Sequence, residues 1–265
     1  MTQATLPADA VRLTPPRGIR RWLGSYLDIV FIRWANVRNE WYFYVILGPL
    51  FPIALLAFMK MTGAVQDPAG ALYVTAGNAI ATLVLGPMQS LNNDLAWGRQ
   101  RNDLDYYSTL PLSKLQLILG LVTVSAVFTI PGMLLTIFIG SIWLGFPVIL
   151  NPLIVPIMIL SALSMAGLGA MMGVHARNGH HANMMNSLMM LVVTFMSPLL
   201  IPYENLPRLL QYTSRLLPTS YAANAFRAAL AGRTDMGVWL DMAIVSLFAT
   251  AFLVLAVRRI DWRVD

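Results

Sequence analysis

The chain contains no cysteine. Disulfides, thiolate metal sites and cysteine nucleophiles are therefore excluded. Charge is almost as scarce: Asp, Glu, Lys and Arg make up 11% of the 265 residues, against roughly 25% in an ordinary soluble domain. Only two residues are lysine, Lys60 after Met59 and Lys114 after Ser113. A P-loop needs a glycine-rich turn leading into a lysine that holds the phosphates, so this polypeptide cannot hydrolyse ATP by that route. The three histidines, His175, His180 and His181, cluster beside Arg177 with no carboxylate or cysteine among them. They fit a loop in the headgroup zone better than a metal site. No Ser, His and Asp set is spaced recognisably for nucleophilic catalysis. The first 18 residues lack the apolar core of a signal peptide, and residues 1–17 read as a cytoplasmic tail.

What is there in quantity is apolar surface, 57% of the residues. Several runs approach the ~20 residues that cross ~30 Å of hydrocarbon. The expected fold is all-α and integral to the membrane, with residues 18–265 forming a single transmembrane domain. Residues 18–40 place Ile19, Trp22, Leu23, Tyr26, Leu27, Val30, Phe31, Trp34 and Val37 on one helical face and Arg21, Ser25, Asp28 and Asn36 on another. That pattern predicts an interfacial amphipathic helix. Six transmembrane helices are predicted, at about 41–59, 71–91, 114–143, 153–174, 182–201 and 238–257. In the fourth, Ala162, Ala166, Gly169, Ala170 and Gly173 recur at three- and four-residue spacing, which lets a neighbouring helix approach closely.

Thirteen of the eighteen Lys and Arg fall on one side if the N-terminus is inside, so the positive-inside rule puts both termini in the cytoplasm. The same side holds the stretch from Trp97 to Ser113, the longest charged interruption between two spans. It carries Arg99, Arg101, Asp103 and Asp105, then Tyr106 and Tyr107, then Pro111. A short helix ended by that proline and lying at the membrane surface is expected. On the opposite side, 202–237 is too amphipathic to span and too apolar for a plain loop, and predicts two short helices broken at Pro218.

This order of parts resembles the permease subunits of type-2 ATP-binding-cassette (ABC) exporters, over nearly the whole chain. In the handle, Arg99, Leu104, Asp105, Pro111, Leu112 and Ser113 match the family's Arg-rich segment leading into Pro-Leu-Ser. Asn102 and Asp103 stand in place of its usual Gly and Thr, and Gln100 in place of an acid. In the second motif, Ser197, Pro198, Pro202, Leu206, Pro207, Leu217, Pro218, Tyr221 and Arg227 fall where such permeases place similar residues. The resemblance implies a homodimer or paralogue heterodimer in a cell membrane, plasma or prokaryotic inner, carrying two separate cytoplasmic ABC ATPase subunits. Those partners would bind ATP and Mg, and this chain, without cofactor or nucleic acid, would not be an enzyme by itself.

The handle would then be the coupling helix, with Arg99, Asp103, Leu104, Asp105, Tyr106, Tyr107 and Pro111 as the ATPase-coupling residues. Two tyrosines suit a pocket and the charges suit orientation. Spans 1, 2 and 5 would line the substrate path, with Asn78, Thr82, Gln89, Asn183, Asn186 and Thr194 as its polar points amid methionines that adapt to apolar cargo. A hydrophobic or amphiphilic substrate, a drug-like compound or lipid, is expected to leave the cytoplasm or inner leaflet. Alternatives are a lipid-linked glycan exporter of the same architecture, an ion-coupled secondary carrier, or an anchor without transport. Carriers place ionisable groups at membrane depth, whereas only Asp241, near the end of the sixth predicted span, is ionisable there.

Overall fold

The computed structural model describes residues 18–63, 65, 67–101, 103–110, 112–149, 151–199, 203 and 207–260, which are helices and connections with no strand among them. Helix α1 (Ile19–Val37) leads through a 3-10 turn (Arg38–Glu40) and a π-helical turn (Phe43–Leu47) into α2 (Leu50–Thr62). There follow α3 (Pro68–Gln100), α4 (Asp103–Thr109), α5 (Lys114–Leu144), α6 (Ile154–His175) and α7 (Gly179–Met196). Two short helices, α8 (Arg208–Ser214) and α9 (Pro218–Leu230), precede α10 (Met236–Arg259).

Local chemistry sets these starts. Asp67 accepts from Gly70 N–H at 2.8 Å, and Pro68 fills the first turn of α3, where its missing N–H costs nothing. A capping box opens α5: Gln116 N–H donates to Ser113 Oγ at 3.3 Å, and Ser113 N–H to Gln116 Oε1 at 2.7 Å. The Gln116 side chain, fully buried, also donates to Trp22 O at 2.8 Å and so ties α1 to the start of α5.

Five helical segments are long and apolar enough to cross a membrane: Val45–Thr62, α3, α5, α6 and α10. Helix α7, expected as the fifth of six spans, has 18 residues but is not among them. Its first half carries His180, His181, Asn183 and Asn186. The second span also differs from expectation. Rather than ending near Leu91, α3 continues unbroken to Gln100 and takes in Asp94, Arg99 and the first four residues of the handle. The extension persists because α1, α6 and α7 supply partners for its polar side chains.

At the centre, α3 packs against α5, α6, α7 and α9. Lipid tails are as apolar as leucine, so close packing and hydrogen bonds, rather than expulsion of water, hold such helices together. The small face of α6 meets α3: a Cβ on Gly169 would sit 2.1 Å from the Met88 carbonyl oxygen. The main core gathers Ile80, Leu83, Met88, Met133, Met165 and Phe226. A second cluster, nearer the handle, joins Ile29, Leu91, Leu95, Leu117, Ile118 and Ala170. By contrast α2 and α10 lie on the rim, with Phe51, Phe58, Leu240 and Leu247 exposed, as suits helices that face lipid.

Candidate functional site

At the handle end, α3 stops at Gln100 and α4 begins at Asp103. Arg99 is turned inward: its guanidinium donates to Val174 O at 2.9 Å and Ala176 O at 3.4 Å, serving the free carbonyls at the end of α6. Gly179 N–H donates to Gln100 Oε1 at 3.3 Å, so the loop before α7 is fastened to the same turn. Asp103 pairs only loosely with Arg101, at 3.6 Å. Of the two tyrosines, Tyr106 is 56% exposed, while Tyr107 is half-buried against the second core cluster. Burial pushes the Tyr107 phenol above its ordinary range, with Arg33 opposing the shift. The side chains of Leu104 and Asp105, and Pro111 as a whole, lie outside the described residues.

Behind α4 lies a polar crevice of about 530 Å³ lined by Arg33, Asn36, Asp94, Arg101, Asp103 and Tyr107. Its inner wall is an ion pair between α1 and α3, Arg33 Nη2 to Asp94 Oδ1 at 2.7 Å. Asp94 also accepts from Ser90 Oγ at 3.2 Å.

Ser90 belongs to a second cavity too, of about 490 Å³, lined by Gly48, α2 (Phe51, Pro52), α3, α7 (Met190, Thr194), Thr129 of α5 and Leu199. Four of the six predicted path residues meet here: Asn78, Thr82, Gln89 and Thr194. Gln89 and Thr194 make no side-chain hydrogen bond among the described residues, so their polar atoms remain available. Among the described residues no charged side chain lines the cavity, and of the methionines only Met190 does. Its α3 wall runs from Asn78 to Asn93, about 22 Å at 1.5 Å per residue.

The other two path residues are elsewhere. Asn183 is exposed. Asn186 is buried and bound to α3, accepting from Asn92 Nδ2 at 2.6 Å and donating to Asn93 Oδ1 at 3.0 Å. It is a fastener between α3 and α7, a common use of asparagine between membrane helices. The sequence reading missed Asn93, although it sits fifteen residues after Asn78 on the same face of α3 as Thr82 and Gln89, and that spacing alone could have found it.

At the far end the chain leaves α7 and passes over α3 at Pro198 and Leu199. Arg227 of α9, 5% exposed, reaches into this junction. It donates through Nη2 to Pro198 O and Leu199 O, both at 2.7 Å, and through Nε to Tyr73 O at 3.1 Å. Its guanidinium also stacks 3.5 Å from the Tyr73 ring centroid, and Tyr73 Oη donates to Pro198 O at 2.8 Å. Burial pulls the Arg227 pKa down to about 10, which leaves it charged at neutral pH. The close approach requires Gly77, where a Cβ would fall 1.8 Å from Leu199 O.

A family model described as ABC-2 type transporter matches residues 29–231, from within α1 to the end of α9. The chain belongs to the ABC-2 type transporter family. A search of curated proteins returns no match. As an ABC-2 membrane domain, the protein is a multi-pass permease of an ABC transporter and works with an ABC ATPase.

Proposed function

We propose that this ABC-2 permease exports a hydrophobic or amphiphilic compound, drug-like or lipid, out of the cytoplasm or inner leaflet of a prokaryotic cell membrane. Two permeases, identical or paralogous, would pair and carry two ATPase subunits, which bind the ATP and Mg. Helix α7 would serve as the fifth of six crossings, with both termini in the cytoplasm. The observation that carries the substrate reading is the cavity itself. It is uncharged, walled by leucine, phenylalanine, proline and methionine, and offers free hydrogen-bonding groups on Gln89 and Thr194. Such a lining suits an apolar body bearing a few neutral polar groups.

Tyr106 supports the coupling reading. A large aromatic ring left 56% exposed on a short helix is the residue type that anchors an interface. Tyr107 would instead hold α4 against the bundle. The test is reconstitution with the ATPase in proteoliposomes. Tyr106→Ala with Asp105→Ala is expected to weaken ATPase association at least tenfold and to abolish transport; unchanged association and transport would end the coupling reading. Separately, Gln89→Leu with Thr194→Val is expected to reduce cargo-stimulated ATP hydrolysis severalfold while leaving basal hydrolysis in place.

A further inference from the structure

One buried cation is used by nothing described so far. Among the described residues no carboxylate pairs with Arg227; its partners are three backbone carbonyls, the face of Tyr73 and, at 3.5 Å, Asn224 Oδ1 on its own helix. Those carbonyls belong to two different walls. Tyr73 lies on α3, whereas Pro198 and Leu199 belong to the segment that follows α7, and Leu199 lines the uncharged cavity at the end where α7 finishes. The guanidinium therefore ties α9, α3 and the 197–199 segment together at the far end of the cavity.

Carbonyl partners make this tie different from an ion pair. A carboxylate would fix the cation to one side chain, whereas neutral carbonyls hold a charge by geometry alone, and each bond has its full strength only while the three elements keep their positions. A small displacement of α3 along its axis would carry Tyr73 and Gly77 past Leu199 and break the bond from Arg227 to Tyr73 O, the stack on the Tyr73 ring and the Tyr73 hydroxyl bond to Pro198 O together. The Ser197 and Ser220 hydroxyls, 3.2 Å apart, and Thr219, which donates to Ser197 Oγ at 3.1 Å, join the same segment to α9 by neutral bonds that such a motion can exchange.

We propose that Arg227 is a positioning residue for transport, the latch that keeps the 197–199 segment across the far end of the cavity until α3 moves. The latch rests on the cavity being the transport path. Its closure, however, can be read without any cargo, so the two ideas can fail separately.

The chain's lack of cysteine makes the measurement clean. Thr82→Cys reports on the cavity, and Thr234→Cys, an exposed position on the far side, identifies which face of a sealed vesicle carries that end. With the full complex in vesicles without nucleotide, a membrane-impermeant maleimide applied to the face that labels position 234 is expected to react slowly with position 82. Arg227→Gln is expected to raise that rate at least tenfold, and Arg227→Lys at least threefold, because an ammonium cannot span three carbonyls and stack on a ring. Labelling of Gln89→Cys from the handle face is expected to stay within twofold, since general loosening would raise both. An unchanged rate at position 82, or an equal rise from both faces, overturns the latch. Should Arg227→Gln fail to fold, Tyr73→Phe carries the test by removing the hydroxyl that donates to Pro198 O. A threefold rise supports the proposal and no rise overturns it. Loss of cargo transport in the cavity variants, with the latch result standing or falling independently, separates this inference from the assignment of the path.

Discussion

Arg33 and Asp94 meet at 2.7 Å with side chains 19% and 17% exposed, and each comes from a helix that reads on its own as ordinary. Removing one partner leaves an uncompensated charge in a poorly hydrated place, which costs about 3–5 kcal/mol when burial is complete and less here. Arg33→Ala or Asp94→Ala is expected to lower the melting temperature of the purified complex, and the double variant to lose less than the two single losses combined. A double-mutant cycle on thermal unfolding with coupling below about 0.5 kcal/mol would deny the pair a structural role. Asn186 gives a second case. Asn186→Leu removes the partner of both Asn92 and Asn93, and Asn92 Oδ1 is already buried without one among the described residues. A cost of about 1–3 kcal/mol is expected, measured as folded protein remaining after heating in detergent. Neither cluster was legible in the sequence. Arg33 and Asp94 are sixty-one positions apart, and nothing in periodicity says which polar residues on two helices will face each other.

At the scale of the element, the sequence reading did well where pattern and length decide. The predicted starts and ends of α5, α6 and α10 lie within a few residues of those found, because proline, glycine and a capping serine mark them. Small residues on α6 foretold a close neighbour, and Gly169 meets it against Met88. Gly169→Leu is expected to abolish folding of the bundle, seen as loss of monodisperse protein, whereas Leu247→Ala on the exposed face of α10 is expected to be neutral. Where pattern misled was the end of α3. Asn92, Asn93 and Asp94 look like the exit from a membrane, yet the helix continues because other helices satisfy those groups. The handle is consequently shorter than it reads, and Arg99 is bonded to the end of α6. Arg99→Ala is therefore expected to reduce thermal stability by about 1–2 kcal/mol more than it reduces ATPase affinity, a ratio that a binding titration beside a melting curve would establish.

Taken whole, three polar sites are spaced along α3: the Arg227 junction, the uncharged cavity, and the Arg33–Asp94 wall of the crevice behind α4. Composition alone announced a membrane protein, and the two motifs announced the ABC-2 family. The cavity was half legible: the face bearing Asn78, Thr82 and Gln89 could be read from spacing, whereas Asn183 and Asn186, assigned by residue type, do not line it; Asn183 is exposed and Asn186 bonds to Asn92 and Asn93. If the cavity carries cargo, then Thr129→Phe, which fills it from the α5 side, is expected to lower transport at least fivefold without changing ATPase affinity, as flux and pull-down assays in parallel would reveal.

Helix α3 has 33 residues and no interruption at Pro87, a rod of about 50 Å touching all three places. A rod has no slack. Any tug delivered near Trp97 arrives at Gly77 as the same displacement, so if the cavity carries cargo its inner and outer ends would change together rather than in relay. Fluorescent reporters placed at the two tips would then trace one shared relaxation, and two well-separated time constants would mean that the rod bends after all.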